Sequence, residues 1–217
     1  MKIIIITKKI WDLDNLRNFK FKHKVYNHIT EKLIKNKNPK KIFFIHWSKF
    51  IPKKIYNKFE CIQFHCSDLP KFRGGTPIQN QIIRGLKNTK LSAFRVSEKL
   101  DSGPIYLKKN ISLSNSASEI YSRIEKKSFG MIEEIINKKI EPKKQKGKVT
   151  TFKRRKKSQS VINKKINTIN KIYDFIRMLD AENYPKAYIK LNNFVCEFYD
   201  SKLINKCVHG KFKIKKQ

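Results

Sequence analysis

Two short runs of this chain are apolar at every position, Ile3 to Ile6 and Ile42 to Ile45, and a third, Cys61 to Phe64, is nearly so. A strand covered on one face alternates apolar and polar residues. A short run without alternation is buried on both faces, as in a parallel sheet with helices on each side. That pattern narrows the fold to the α/β class: a Rossmann-like, mostly parallel sheet with a small C-terminal helix and β-hairpin appendage. It also says where to look for function, because open α/β sheets bind ligands outside the carboxyl ends of their strands.

The segments between the runs fill in the sheet. Phe21, Val25, Ile29 and Leu33 recur every four residues and predict one amphipathic helix over 17–36, stopped by Pro39. A short connection over 55–59 is predicted to be helical at its start. Thr76-Pro77 opens another helix, with Thr76 as the cap of its free amides and Pro77 at the first helical position. Lys90 to Val96 and Ile105 to Leu113 read as strands on either side of an Asp101-Ser102-Gly103-Pro104 turn. Ser116-Ala117-Ser118-Glu119 has capping-box spacing, and Ile120, Ile124, Met131 and Ile135 then share one side of a long helix. Ile169 to Leu179 is helical. Asn192-Asn193 joins two alternating runs in a hairpin, and Val208 to Lys211 is predicted to start a last one. Three regions follow from this pass: a main domain over 1–140, a basic linker or strap over 141–160, and a helix-hairpin region over 161–217.

The net charge of +34 has two readings. One is nucleic-acid binding, since Lys and Arg neutralise phosphates and release counterions. The other is compositional bias: Lys, Ile and Asn are abundant along the whole chain, and the lysines form no single stripe. We take bias with an anionic ligand, and no nucleic-acid or membrane partner, as the expectation. The four cysteines form no Cys-x-x-Cys pair and do not fall at metal-ligand spacing with His, so free thiols and no metal are expected. The first apolar run is too short for a signal-peptide core or a span, which points to a soluble, cytoplasmic chain.

Against this background the stretch Phe64-His65-Cys66-Ser67-Asp68-Leu69-Pro70-Lys71-Phe72-Arg73-Gly74-Gly75-Thr76-Pro77 stands out. His65 with Asp101 is a usable pair, because a carboxylate beside an imidazole fixes its tautomer and stabilises its charged form. Gln63 shares the face of His65 on a regular strand, and its amide can donate to a developing oxyanion. Taken alone, a histidine near a strand end is more often structural, so the residues leave both readings open. Arg73, Gly74, Gly75 and Thr76 read equally as an anion cradle at a helix start or as a tight loop with its arginine in water.

The order Gln63-x-His65-x-Ser67-x-Leu69-Pro70-x-x-Arg73-Gly74-x-x-Pro77, followed by Leu100-Asp101-Ser102-Gly103-Pro104, resembles the folate-dependent formyltransferase family over roughly residues 40–140. His46-Trp47-Ser48, Lys153-Arg154-Arg155 and Arg177-Met178-Leu179-Asp180-Ala181 make the wording similar to its short sugar N-formyltransferases, including those of the pseudaminic acid pathway. The resemblance implies transfer of a formyl group from N10-formyltetrahydrofolate to the primary amine of a nucleotide-linked amino sugar. His65 and Asp101 would be catalytic, with Gln63 standing where the family has Asn. The folate pocket would use His46, Trp47, Ser48, Phe50, Ile51 and Leu100. The nucleotide-sugar would meet Arg73, Gly74, Gly75 and Thr76, then Arg154 and Arg155 of the strap, and Tyr184 and Lys186. Methionyl-tRNA formylation is the rival within the family, set second because that branch resembles a longer chain with a β-barrel after the catalytic domain. A non-catalytic nucleic-acid-binding protein is the rival outside it. The sugar branch usually pairs, so a homodimer is implied.

Overall fold

The computed structural model describes residues 3–216, with the backbone alone at positions 33, 35 and 36. The chain runs β1 (Ile3–Ile6), α1 (Leu13–Arg17), β2 (His23–Tyr26), α2 (Glu31–Lys37), β3 (Lys41–Phe44), α3 (Lys53–Tyr56), β4 (Glu60–His65), β5 (Arg73–Gly74), α4 (Pro77–Ile82), β6 (Asn88–Arg95), β7 (Ile105–Ser112) and α5 (Ala117–Asn137). β8 (Thr151–Phe152), α6 (Ile169–Arg177), β9 (Ala187–Leu191), β10 (Phe194–Ile204) and β11 (Cys207–Lys216) complete it. A six-stranded sheet has the order β2-β1-β3-β4-β6-β7; β2, β1, β3 and β4 are parallel, and β6 and β7 are antiparallel to their neighbours.

The apolar runs owe their continuity to two-sided burial. Ile3 and Ile5 of β1, with Phe43, Ile62 and Phe64, enter one cluster together with Ile120, Ile124 and Ile132 of α5. Ile4 and Ile6, with Ile42, Phe44 and Cys61, enter another with Ile34 of α2 and Ile55 of α3. Each such fully buried side chain is worth about 1.5–3 kcal/mol relative to exposure. The larger cluster also takes in Phe175, Ile176, Met178, Leu179 and Ala187, so the C-terminal region shares one core with the main sheet. The capping box at Ser116 is formed: its amide donates to Glu119 Oε2 and its hydroxyl accepts from the Glu119 amide.

Three local expectations are corrected. The single helix over 17–36 is replaced by α1, β2 and α2. Val25 and Tyr26, adjacent in sequence, enter opposite clusters, which only an extended strand allows. β2 also pairs the free edge of β1, whose amides and carbonyls a helix would have left unmet. The Leu33 side chain lies outside the described residues. Thr76 does not cap α4: its φ is +48°, and its Oγ1 instead accepts from Asn80 Nδ2 and the Arg155 amide. The last hairpin turns at Asn205-Lys206, both at positive φ, before Val208 rather than after it, and gives the three-stranded sheet β11-β10-β9.

Among the described residues no helix is long and apolar enough to cross a membrane.

Candidate active site

β1 leads outward to β2 on one side, while β3 lies on the other. Strand order reverses there, so the loops after β1 and β3 splay apart and open a crevice. Lys8 and Lys9 follow β1, and His46, Trp47 and Ser48 follow β3. Lys8 Nζ bridges the two loops by donating to Ser48 Oγ at 3.3 Å. A cleft of about 710 Å³ opens at this point and extends to the end of β4.

His65 ends β4 and is 7 % exposed; Asp101, at φ +50° in the β6–β7 turn, is 6 % exposed. Both line the cleft. His65 Nε2 stands 2.9 Å from the Phe72 carbonyl, to which it donates, and Nδ1 stands 3.6 Å from Asp101 Oδ2. The same carboxylate oxygen accepts from the Gly74 amide at 2.8 Å. The imidazole therefore sits between two acceptors, an arrangement that fixes the orientation of the ring. Gln63 also lines the cleft, with Nε2 donating to the Trp47 carbonyl at 3.2 Å, which leaves its second N–H for another acceptor.

The predicted folate residues His46, Trp47, Ser48, Phe50, Ile51 and Leu100 all line the cleft. Among the described residues, Trp47 Nε1 and His46 Nε2 are buried with no hydrogen-bond partner. An unmet buried polar atom costs about 1–3 kcal/mol, so a pair of them facing a cleft walled by Ile51, Phe94 and Val96 suits a flat ring with a polar edge. Burial holds the His46 ring neutral, lowering its pKa to about 4 against a raising hydrogen bond to the Tyr121 backbone.

The expected anion cradle is not formed. Gly74 and Gly75 line the cleft, but their amides are spent on Asp101 and on the Phe152 carbonyl. Their missing side chains admit the strap rather than a phosphate. A Cβ on Gly74, whose φ is +104°, would lie 2.3 Å from the Phe152 carbonyl oxygen, and one on Gly75 would lie 2.6 Å from Arg154 Cβ. Thr76 lines the cleft with its hydroxyl occupied as described. Arg73 lies outside the cleft lining and donates to Gln145 Oε1 at 2.7 Å.

Of the strap, Arg154 reaches the cleft and donates to the Ser48 carbonyl across it at 3.2 Å. Arg155 does not line it: its guanidinium lies over Phe175 and donates to the Gln159 carbonyl, and burial with the nearby Arg84 lowers its pKa. Lys186 is likewise removed, ion-paired with Asp180 at 2.6 Å. Tyr184 lines the cleft and accepts from Tyr121 at 3.0 Å.

Sequence reasoning missed the aromatic wall. Trp11 stacks on Tyr121 with centroids 4.8 Å apart, and His46 meets both rings edge-on. Glu125, fully buried in α5, fixes the Trp11 loop by accepting from the Trp11 and Asp12 amides, each at 3.0 Å. The available signal was that the chain has only two tryptophans, both here.

The sheet thus brings a histidine at the end of β4 and an aspartate of the β6–β7 turn to one cleft, the place where an α/β enzyme of this topology binds its ligands, and the comparisons say which family this is. The formyl transferase model matches residues 8–136, and the methionyl-tRNA formyltransferase C-terminal domain model matches residues 157–215. This chain belongs to the formyl transferase family, which uses N10-formyltetrahydrofolate. A methionyl-tRNA formyltransferase of Thermodesulfovibrio yellowstonii is 35 % identical over 72 % of this chain and 53 % of its own length. The chain spans little more than half of such curated relatives. A solved methionyl-tRNA formyltransferase from Clostridium thermocellum is 40 % identical, covers 100 % of both chains and superposes with a TM-score of 0.95. A 4-N formyltransferase of Francisella tularensis shares the fold at 20 % identity and a TM-score of 0.66.

These findings overturn the amino-sugar substrate and the expectation of no nucleic-acid partner. The sugar reading is set ahead on chain length, and the expectation of no nucleic-acid partner rests on the even spread of the lysines; neither length nor spread registers the C-terminal region's own sequence. Residues 157–215, with a short 3₁₀ turn at Lys157–Ser160, α6 and a three-stranded sheet, match that branch's C-terminal model.

Proposed function

We propose that this chain transfers the formyl group of N10-formyltetrahydrofolate to the α-amine of methionyl-tRNA. The observation that carries this reading is the match of residues 157–215 to the C-terminal domain model of that enzyme class. The electrostatics agree. The register of β9–β11 brings Lys190, Lys211, Lys213 and Lys215 to one face of the small sheet with Tyr188, Tyr199 and Glu197; Lys215 pairs with Glu197 and Lys211 with Asp200, and among the described residues Lys190 and Lys213 have no carboxylate within 4.0 Å. Lys153 to Lys157 form an unbroken cationic run, and among the described residues none of the five has a carboxylate partner within 4.0 Å. Such faces neutralise phosphates.

The formyl donor would lie with its ring system against Trp47, Ile51, Phe94 and Val96. It supplies an acyl carbon already bonded to a leaving nitrogen. The amine of the acceptor, in its neutral form, bonds to that carbon, and negative charge develops on the formyl oxygen. The free N–H of Gln63 faces the cleft where that oxygen would form, beside the His65 ring that the Phe72 carbonyl and Asp101 hold, and such a preorganised donor favours the charged intermediate over the ground state. Asp101 holds the imidazole in place, its carboxylate 3.6 Å from Nδ1. When the carbon–N10 bond breaks, the proton lost by the incoming amine is returned to N10 by way of His65, so that N-formylmethionyl-tRNA and tetrahydrofolate leave. Arg154 and Ser48 stand at the mouth, where the acceptor end would enter.

The test incubates the purified chain with N10-formyltetrahydrofolate and methionyl-tRNA and reads tetrahydrofolate release together with acid-stable formyl-methionine. Stoichiometric appearance of both is expected. Absence of both, with the protein folded and the donor intact, would sink the reading.

A further inference from the structure

We propose that Gln145 is a positioning residue that locks Asp101 against His65, working from the strap as the middle member of a three-part clamp. The inference rests on the formyl-transfer reading of the cleft. His65 and Asp101 do not touch within hydrogen-bonding distance: 3.6 Å separates them. Their relation is set by two backbone segments, and each must be held. The first is Phe72–Gly74, whose carbonyl at 72 accepts from His65 and whose amide at 74 donates to Asp101. The second is the turn that carries Asp101 itself.

One side chain ties these segments together. Gln145 Nε2 donates to the Asp101 carbonyl at 2.9 Å and to the Gly103 carbonyl at 2.8 Å, while its Oε1 accepts from Arg73 Nη2 at 2.7 Å. Both amide hydrogens and the amide oxygen are thus used, the oxygen in a charge-assisted bond. The strap is itself anchored on each side of this residue. Lys143 exchanges two backbone bonds with Ile105, at 2.8 and 2.9 Å, and the Thr150 carbonyl and hydroxyl accept from the Arg73 and Phe72 amides. Between those anchors, over Lys144–Val149, every residue but Gln145 is exposed. This exposed segment, Lys144 to Val149, is thus held to the Asp101 turn and to Arg73 through the one half-buried amide of Gln145.

Ser102 ties the turn to the Lys99 carbonyl through its amide at 3.3 Å and its hydroxyl at 2.8 Å, and the Arg95 amide donates to the Pro104 carbonyl at 2.8 Å, but none of these bonds engages the Asp101 carbonyl. Asp101 sits at a positive φ, which an L side chain adopts at some cost, and Gly103 presses its backbone onto the Arg95 carbonyl, where a Cβ would stand only 1.7 Å away. Removing the amide frees two turn carbonyls and one guanidinium at once. The carboxylate can then move relative to the ring without any change in the cleft walls. Displacements of about 1 Å at a reacting constellation cost on the order of 10²-fold in rate.

The experiment compares Gln145→Ala and Gln145→Glu with the unaltered chain. Glu keeps the acceptor for Arg73 and loses both donors to the turn, so it separates the two halves of the clamp. In both variants we expect kcat to fall on the order of 10²-fold, KM for tRNA and for the formyl donor to change less than about threefold, and the melting temperature to stay within a few degrees. Nitrogen-15 spectra of histidine-labelled protein supply a readout independent of turnover, since the His65 ring resonances must shift when the turn is released. Unshifted His65 resonances, or a kcat within threefold of the unaltered chain, would overturn the clamp. So would a kcat loss that tracks lost melting temperature. Lack of turnover in the unaltered chain would instead indict the substrate assignment, and the resonances would still decide on Gln145.

Discussion

His46 converts burial into a pH-dependent stability that can be measured without substrate. Its ring is held neutral in the fold, with a pKa of about 4 against 6.5 for an unperturbed histidine, chiefly by desolvation. The unfolded chain therefore binds this proton first as pH falls. Stability carried by the neutral ring is fully present above about 6.5, declines by up to one proton's slope below it, and is gone beneath about 4. A difference of about 2.5 units at 1.36 kcal/mol per unit amounts to about 3 kcal/mol. His46 has a φ of +52°, so Asn, which tolerates that conformation, is the replacement that removes the titration and keeps the backbone. Urea unfolding of both proteins from pH 7.5 to pH 4 gives the stability difference at each pH, and contributions from other groups cancel in the comparison. The unaltered chain should lose about 3 kcal/mol more than His46→Asn across that window. Parallel curves would refute the argument and mean that the ring is already charged, or solvated, in the fold.

Three further outcomes follow from the same geometry. Gly103→Ala should lower the urea midpoint and cut formyl transfer at least tenfold, because the new Cβ collides with the Arg95 carbonyl and must push the Asp101 turn aside. Gln63→Ala should cost less turnover than His65→Ala, since the Gln63 amide spends one N–H on Trp47 while His65 carries the proton; equal losses measured under the same conditions would make Gln63 a full partner. Glu125 has its pKa raised, first by burial and against hydrogen bonds that favour the charge, so its stabilising effect is lost as pH rises from the ordinary glutamate value through the raised one. Glu125→Gln should flatten the stability profile in that interval, and an unchanged profile by urea titration would count against it.

The sheet was legible because burial on both faces writes itself as uninterrupted apolar runs. His65 and Asp101 were paired through the family resemblance, since composition alone leaves a histidine at a strand end as readily structural; the structure brings both to one cleft. β2 was not legible: a four-residue spacing over Phe21, Val25, Ile29 and Leu33 fits a helix as well as it fits a strand flanked by loops, and only the unpaired edge of β1 decides between them. Gly74 and Gly75 were read for the wrong neighbour, since a sequence says that something approaches a glycine but not whether it is a ligand or another strand. Lys186 and Arg155 were lost to partners distant in type, an aspartate and a phenylalanine ring, that no spacing rule pairs. Gln145 left no signal, standing among lysines in a run that reads as solvated.

The account turns on His65 and Asp101 acting as one unit on the formyl group. Asp101→Asn keeps a residue suited to φ +50° and preserves an acceptor for the Gly74 amide, but it removes the negative charge beside the imidazole. Rapid-quench single turnovers with preloaded methionyl-tRNA and donor read the chemical step directly. The account predicts a loss on the order of 10³-fold or more in that step, as orienting carboxylates beside catalytic histidines elsewhere supply, with tRNA affinity by filter binding unchanged within threefold. A single-turnover rate within tenfold of the unaltered chain would contradict it.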